Sequence, residues 1–88
     1  MKVIKRDGRI VDFNRDKIKN AVLAAFKEVD GEVTQEAKNK ASEIASYVNV
    51  LEDQFISVEK IQDIIEEKLM ISNRKDVAKT FIIYRNDR

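Results

Sequence analysis

Lys5, Arg6, Arg9, Arg15, Lys17 and Lys19 fall within fifteen consecutive positions of an 88-residue chain whose formal net charge is only +1. With Lys2, the first twenty residues hold seven of the seventeen Lys and Arg side chains; set against Asp7, Asp12 and Asp16 the segment carries +4, and the remainder, with ten bases and thirteen acids, carries −3. Cations gathered in this way suit charge-assisted hydrogen bonds to a polyanion, phosphate above all. Other chemistries are closed off by composition. The chain has no Cys and no His, which removes disulfides, a thiol nucleophile, an imidazole base and the usual zinc ligands. Any catalysis would rest on carboxylates and lysines. Neither a GxxxxGK[ST] nor a GxGxxG loop occurs, so a conventional ATPase or dinucleotide enzyme is not supported.

The basic residues need a framework, and the opening "MKVIKRDGRIVDFNRDKIKN" supplies one. Asp7-Gly8 suits a two-residue type I′ turn, in which both central positions take positive φ. A hairpin over residues 2–13 is therefore expected. With the turn there, Arg6 faces Arg9, Lys5 faces Ile10, Ile4 faces Val11 and Val3 faces Asp12. Strand alternation then puts Ile4, Val11 and Phe13 on one face and Val3, Lys5, Ile10 and Asp12 on the other. The second face is half apolar and half charged. It fits a ligand with a flat apolar part, against Val3 and Ile10, and an anionic tail, towards Lys5. Asn14 is a good N-cap, with Phe13 stapling onto Ile18, and the helix that follows offers its positive end and Lys17 to a phosphate. Arg6, Arg9, Arg15 and Lys19 surround that point, although solvated surface bases that keep an edge strand from aggregating would look the same.

Four helices are expected, over about 15–29, 35–52, 58–69 and 74–86. The first carries Ile18, Val22, Ala25 and Val29 at helical spacing and stops at Asp30-Gly31. Thr34 caps the second, with the stripe Ala37, Ala41, Ile44, Val48 and Leu51; Ser57 caps the third, with Val58, Ile61, Ile65 and Leu69. Ser72 or Asn73 is the expected cap of the fourth, which carries Val77, Phe81 and Tyr84. The "DQFI" connector could add a short third strand. The fold class is thus α+β, an N-terminal β-hairpin covering a four-helix bundle, in one domain spanning 1–88. At 43% hydrophobic and 38% charged residues with no Pro, the composition is that of a globular chain, with no signal peptide and no run long enough to span a membrane. A cytoplasmic setting is expected.

The segment "VIKRDGRIVDFNRDKI" resembles the opening signature of the ATP-cone domain, a V-x-K-R-D-G hairpin followed by an aromatic or apolar residue, Asp or Asn, and K-I two residues later. "SVEKIQDIIEEKL" is similar to the family's third helix, and "VAKTFIIYRNDR" to its closing V-A-x-x-[FY]-x-x-x-[YF]-R helix. The likeness spans essentially the whole chain and is closest in wording to anaerobic ribonucleotide reductases. It implies an allosteric regulatory domain, not itself an enzyme, that binds ATP or dATP without hydrolysis, with Mg2+ as a cation that could accompany the nucleotide. Val3 and Ile18 would line the base pocket, Lys5, Arg6 and Lys17 would hold phosphates, and Asn14 would hydrogen-bond the nucleotide. Phe13, Ile61 and Gln62 would be further contacts, and Arg85 would close the site or serve the fold. The partner implied is the catalytic body of a parent reductase or a second copy of the domain. The family's repressor form carries a zinc ribbon, which a chain without Cys does not match, and an ending just after "YRNDR" fits a domain excised from a longer enzyme.

Two rival readings follow from the residues alone. A basic hairpin could lie on a nucleic-acid backbone, but helices two to four are acidic, and Phe26, Phe55, Phe81 and Tyr84 are better accounted for by the core. A small helical protein-interaction module, its hairpin merely sealing the bundle, is the other.

Overall fold

A computed structural model describes residues 1–86. Asp87 and Arg88, the last two residues of the closing-helix motif, lie outside the described residues. Strands β1 (Lys2–Ile4) and β2 (Ile10–Asp12) form an antiparallel hairpin, followed by α1 (Arg15–Asp30), α2 (Gln35–Asn49), β3 (Phe55–Ser57), α3 (Val58–Ile71) and α4 (Lys75–Asn86). The "DQFI" connector does yield a strand. β3 lies parallel beside β1, giving a three-stranded sheet in the order β2-β1-β3, and the α+β class expected from sequence holds. Among the described residues no helix is long and apolar enough to cross a membrane.

The hairpin register differs from the expected one by a single residue. Val3 pairs with Val11 and Ile4 with Ile10, because the loop holds three residues, Arg6, Asp7 and Gly8. Lys5 N–H donates to the Arg9 carbonyl (2.8 Å) and Gly8 N–H to the Lys5 carbonyl (3.0 Å). Gly8 alone takes positive φ there, at 88°, as in a turn completed by one left-handed residue. Since side chains alternate, a one-residue slip changes which residues share a face. Val3 and Lys5 therefore share the inner face with Val11 and Phe13. Ile4 and Ile10 lie on the outer face, where Ile10 is 57% exposed, so Ile10 cannot contact a ligand held beneath the sheet.

The helices form where their caps and stripes direct. Asn14 accepts from Asp16 N–H, Thr34 from Ala37 N–H and Ser57 from Lys60 N–H, and Gly31, at φ 79°, closes α1 onto the Lys27 carbonyl. α2 ends at Asn49, with Val50 as its C-cap, so Leu51 lies beyond it. Ser72 and Asn73 do not cap α4. Both finish α3 instead: the Ser72 hydroxyl donates to the Leu69 carbonyl and Asn73 adopts φ 65°. The first turn of α4 is closed by the Arg74 carbonyl, which accepts from Ala78 N–H, and by Asp76, which accepts from Val77 N–H.

Phe26, Ile44, Leu69, Val22, Val48 and Val77 fill the centre of the core, each burial contributing roughly 1.5–3 kcal/mol. Buried Ala25, Ala37, Ala41, Ala45 and Ala78 let the helices approach closely. Phe81 is buried with them, whereas Phe55 and Tyr84, expected in the core, are about half exposed. Phe55 lies on the outer face of β3, and Tyr84 lines a surface hollow between α4 and α1.

One guanidinium ties three helix ends together. Arg74 reaches Asp30 at the end of α1 (2.7 Å), Glu36 at the start of α2 (2.6 Å) and Asp76 at the start of α4 (3.1 Å), and lies 5.2 Å from the centre of the Phe26 ring. Its hydrogen bond, followed by that from Val77 N–H, holds the Asp76 carboxyl below its ordinary value of 3.8.

Two outcomes follow. Gly8→Ala meets no neighbouring atom, so its cost is purely conformational, about 1 kcal/mol; Gly8→Asn, which tolerates left-handed backbone, should lose less, as read by chemical denaturation. Arg74→Met should lower the melting temperature at neutral pH. Because the Asp76 value is depressed in the folded state, its contribution is complete above the unfolded value and is lost as pH falls through the folded one. The gap between wild type and Arg74→Met should therefore narrow below about pH 3.8.

Candidate functional site

Between the inner face of the hairpin and helices α1, α3 and α4 lies a cleft of about 210 Å³. Five elements meet there because each turns one face towards it. β1 brings Val3 and Lys5, and the end of β2 brings Val11 and then Phe13. Lys17, Ile18 and Ala21 come from successive turns of α1, and Val58, Ile61, Gln62 and Ile65 from one face of α3. Phe81 of α4 completes the wall. The lining is mainly apolar, and Ala21 leaves room that a longer side chain would fill. The cavity suits a flat ring system, not a whole nucleotide, so a polar tail would have to leave it.

Two adjoining hollows show where such a tail could run. One shares Lys5, Val58 and Gln62 with the cleft and adds Arg6, Asp7 and Arg9 of the hairpin loop. The other shares Lys17, Ala21, Gln62 and Phe81 and continues past Asn20 to Tyr84 and Arg85. Gln62 stands at the junction of all three.

Of the residues expected at a site, Val3, Lys5, Phe13, Asn14, Lys17, Ile18, Ile61 and Gln62 line the central cleft, and Arg6 and Arg85 flank it. Among the described residues neither Lys5 nor Lys17 makes an ion pair. The arginines are differently placed. Arg15 donates to the Ser46 hydroxyl on α2 (2.7 Å) and Arg9 to the Asp7 carboxylate (2.7 Å), so both serve local structure. Arg9 N–H and its guanidinium hold the Asp7 carboxyl below its ordinary value. Arg85, only 15% exposed, lies among Asp63 (2.8 Å), Glu66 (3.0 Å) and Glu59 (3.3 Å). Burial opposes its charge, and hydrogen bonds to Asp63 and Glu59 more than offset this. Arg6 bridges from the hairpin loop to Glu59 (2.6 Å) and Gln62 (3.2 Å) on α3.

The positive end of α1 is partly committed. Asn14 Oδ1 already accepts from Asp16 N–H (2.9 Å), and Asp16 itself lies in the first turn. Asn14 keeps its amide N–H2 group for other partners. Val11, Ala21, Val58, Ile65 and Phe81 also line the cleft and were not expected there. Ile65 and Phe81 bear the signature of core residues, which they also are; Ala21 could have been found as the small residue on the face that carries Lys17 and Ile18.

The sequence profile of the ATP cone domain matches residues 1–88. The chain is 34% identical to the ribonucleoside-diphosphate reductase subunit alpha of Chlamydia pneumoniae, over 98% of this chain and 9% of that protein. It is 36% identical to the vitamin B12-dependent ribonucleoside-diphosphate reductase of Thermoplasma acidophilum and 34% identical to the anaerobic ribonucleoside-triphosphate reductase of Haemophilus influenzae, each over 98% of this chain and 12% of the relative. The chain thus spans about a tenth of the length of these relatives, which are not confined to anaerobic enzymes. The hairpin laid over four helices, the "VIKRDGRIVDF" segment in its loop and strands, and the match along the full length make this chain a member of the ATP-cone domain family.

Proposed function

We propose that this chain is a regulatory nucleotide-binding domain that takes ATP or dATP without hydrolysing it. The base occupies the cleft beneath the hairpin, against Val3, Ile18 and Ile61, and Asn14 and Gln62 supply hydrogen-bonding groups at its edge. The phosphates leave towards Lys5 and Lys17, with Arg6 beyond them. The observation that carries this reading is the placement of Lys5 and Lys17, two ammonium groups without an ion-pair partner among the described residues, at the mouth of one apolar cavity. An anion between them would gain two charge-assisted contacts. No group of three or more acidic, His or Cys side chains that could hold a metal occurs among the described residues, so Mg2+ would be carried by the phosphates themselves. Activity control would act on a reductase body or through self-association, since a ligand can shift an equilibrium only by its differential affinity for two states.

ATP and dATP should each stabilise the chain against heat. A ligand that binds only the folded state adds roughly 2.7 kcal/mol at 100 times its Kd. GTP should give less, a short DNA duplex none, and phosphate release should stay at background. A larger stabilisation by DNA than by ATP would instead support a nucleic-acid module.

Lys5→Ala and Lys17→Ala should each weaken ATP binding by about 1.5–3 kcal/mol, the scale of hydrogen bonds to charged groups, while moving the stability of the unliganded chain by no more than about 0.5 kcal/mol. Arg15→Ala, facing Ser46, should bind as wild type. Equal losses at all three positions in calorimetric titration would indicate diffuse attraction and not a site.

A further inference from the structure

Two guanidinium groups and three carboxylates share one end of the molecule. Arg6 comes from the hairpin loop, Arg85 from the last turn of α4, and Glu59, Asp63 and Glu66 from α3 between them. Glu59 is the residue common to both cations, 2.6 Å from Arg6 and 3.3 Å from Arg85. Asp63 and Glu66 approach Arg85.

From this, and resting on the nucleotide reading above, we infer that Glu59 is a built-in competitor for the phosphates: it holds Arg6 on α3 until a phosphate displaces it, and then remains with Arg85. Three features carry the inference. Arg6 borders the hollow that opens from the cleft beside Lys5, so a phosphate on Lys5 lies next to the guanidinium that Glu59 holds. The pair is weak enough to exchange, since Arg6 and Glu59 are 44% and 50% exposed and ion pairs that wet contribute little, whereas a guanidinium matches a phosphate in a bidentate way. Finally, Glu59 would not be stranded on losing Arg6, because Arg85 already touches it. The exchange moves one contact of the hairpin from α3 to the ligand and leaves the contact between α3 and α4 in place. Phosphate occupancy thereby loosens one tie of the hairpin loop to α3, the bond from Arg6 to Gln62 being another.

The inference makes an unusual demand on mutagenesis, that removing an acid at this one position tightens binding through one arginine. Calorimetric titration of the 88-residue chain with ATP, and with inorganic triphosphate as a probe lacking the base, tests it. Glu59→Gln should lower the Kd for both about three- to tenfold. Asp63→Asn, one turn further along α3 with the same change in charge but paired with Arg85, should change it less than twofold. In an Arg6→Ala background the gain from Glu59→Gln should vanish. Equal gains from the two acid substitutions, or a gain that survives Arg6→Ala, would reduce the effect to general field strength and overturn the latch while leaving nucleotide binding intact. If neither ATP nor triphosphate binds the wild type or any variant, latch and nucleotide reading fall together.

Discussion

The parallel pairing of β1 with β3 is the contact on which the hairpin, and the cleft beneath it, depend. Three residues on each side suffice: Lys2 opposite Phe55, Val3 opposite Ile56 and Ile4 opposite Ser57, joined at one end by Lys2 N–H donating to the Gln54 carbonyl (2.9 Å). A two-stranded hairpin is marginal in water; a third strand whose Ile56 is buried with Val3 anchors it to the bundle. That pairing fixes the height and tilt of the hairpin over α1 and α3, hence the opening of the cleft between them. It also sets where α3 begins, since Val58 follows Ser57 with no intervening loop. Strand register and helix position are therefore one variable.

Charge is divided between two tasks with different side chains. Each described arginine has a partner: Arg6 on Glu59, Arg9 on Asp7, Arg15 on Ser46, Arg74 on three carboxylates and Arg85 on three more. A planar fork with five donors can join elements that meet from several directions. The two lysines of the cleft have no ion-pair partner among the described residues. An ammonium on a flexible stem adapts to a ligand that comes and goes, and needs no fixed partner to hold it. The bases of the first twenty residues thus divide: Lys2, Arg6 and Arg9 pair with carboxylates, Arg15 bonds α2, and Lys5 and Lys17 line the cleft.

Local signals carried most of the helical architecture. Asn14, Thr34 and Ser57 each cap the helix their position announces, because a cap is decided by a handful of neighbouring atoms. The hairpin register was not legible in the same way. Asp7-Gly8 fits the centre of a two-residue loop and equally the last two positions of a three-residue loop, and the choice is made by burial of Val3 and Val11 against helices far along the chain. With the register went the apparent role of Ile10, which stands on the outer face. Ser72 and Asn73 illustrate the converse: residues that favour the start of one helix also favour the end of the one before, and with only Ser72, Asn73 and Arg74 between α3 and α4 the earlier helix claimed the first two. The cleft was legible where it involves the unusual residues Val3, Lys5, Asn14 and Lys17, and hidden where it uses Ile65 and Phe81, whose burial makes them look like any core position.

The central strand also has a consequence for the order in which the molecule assembles. Its antiparallel neighbour is a few residues away in sequence, but its parallel neighbour is more than fifty residues along. Closing so long a loop for three backbone pairs costs little entropy only once α1 and α2 have packed and brought the two ends together. During synthesis the hairpin emerges first and waits with one edge open until residue 57 has followed. The sheet is therefore the last part of the native state to close and the first to open in a fluctuation, so the roof of the cleft should exchange its amide hydrogens faster than the helices that form its floor.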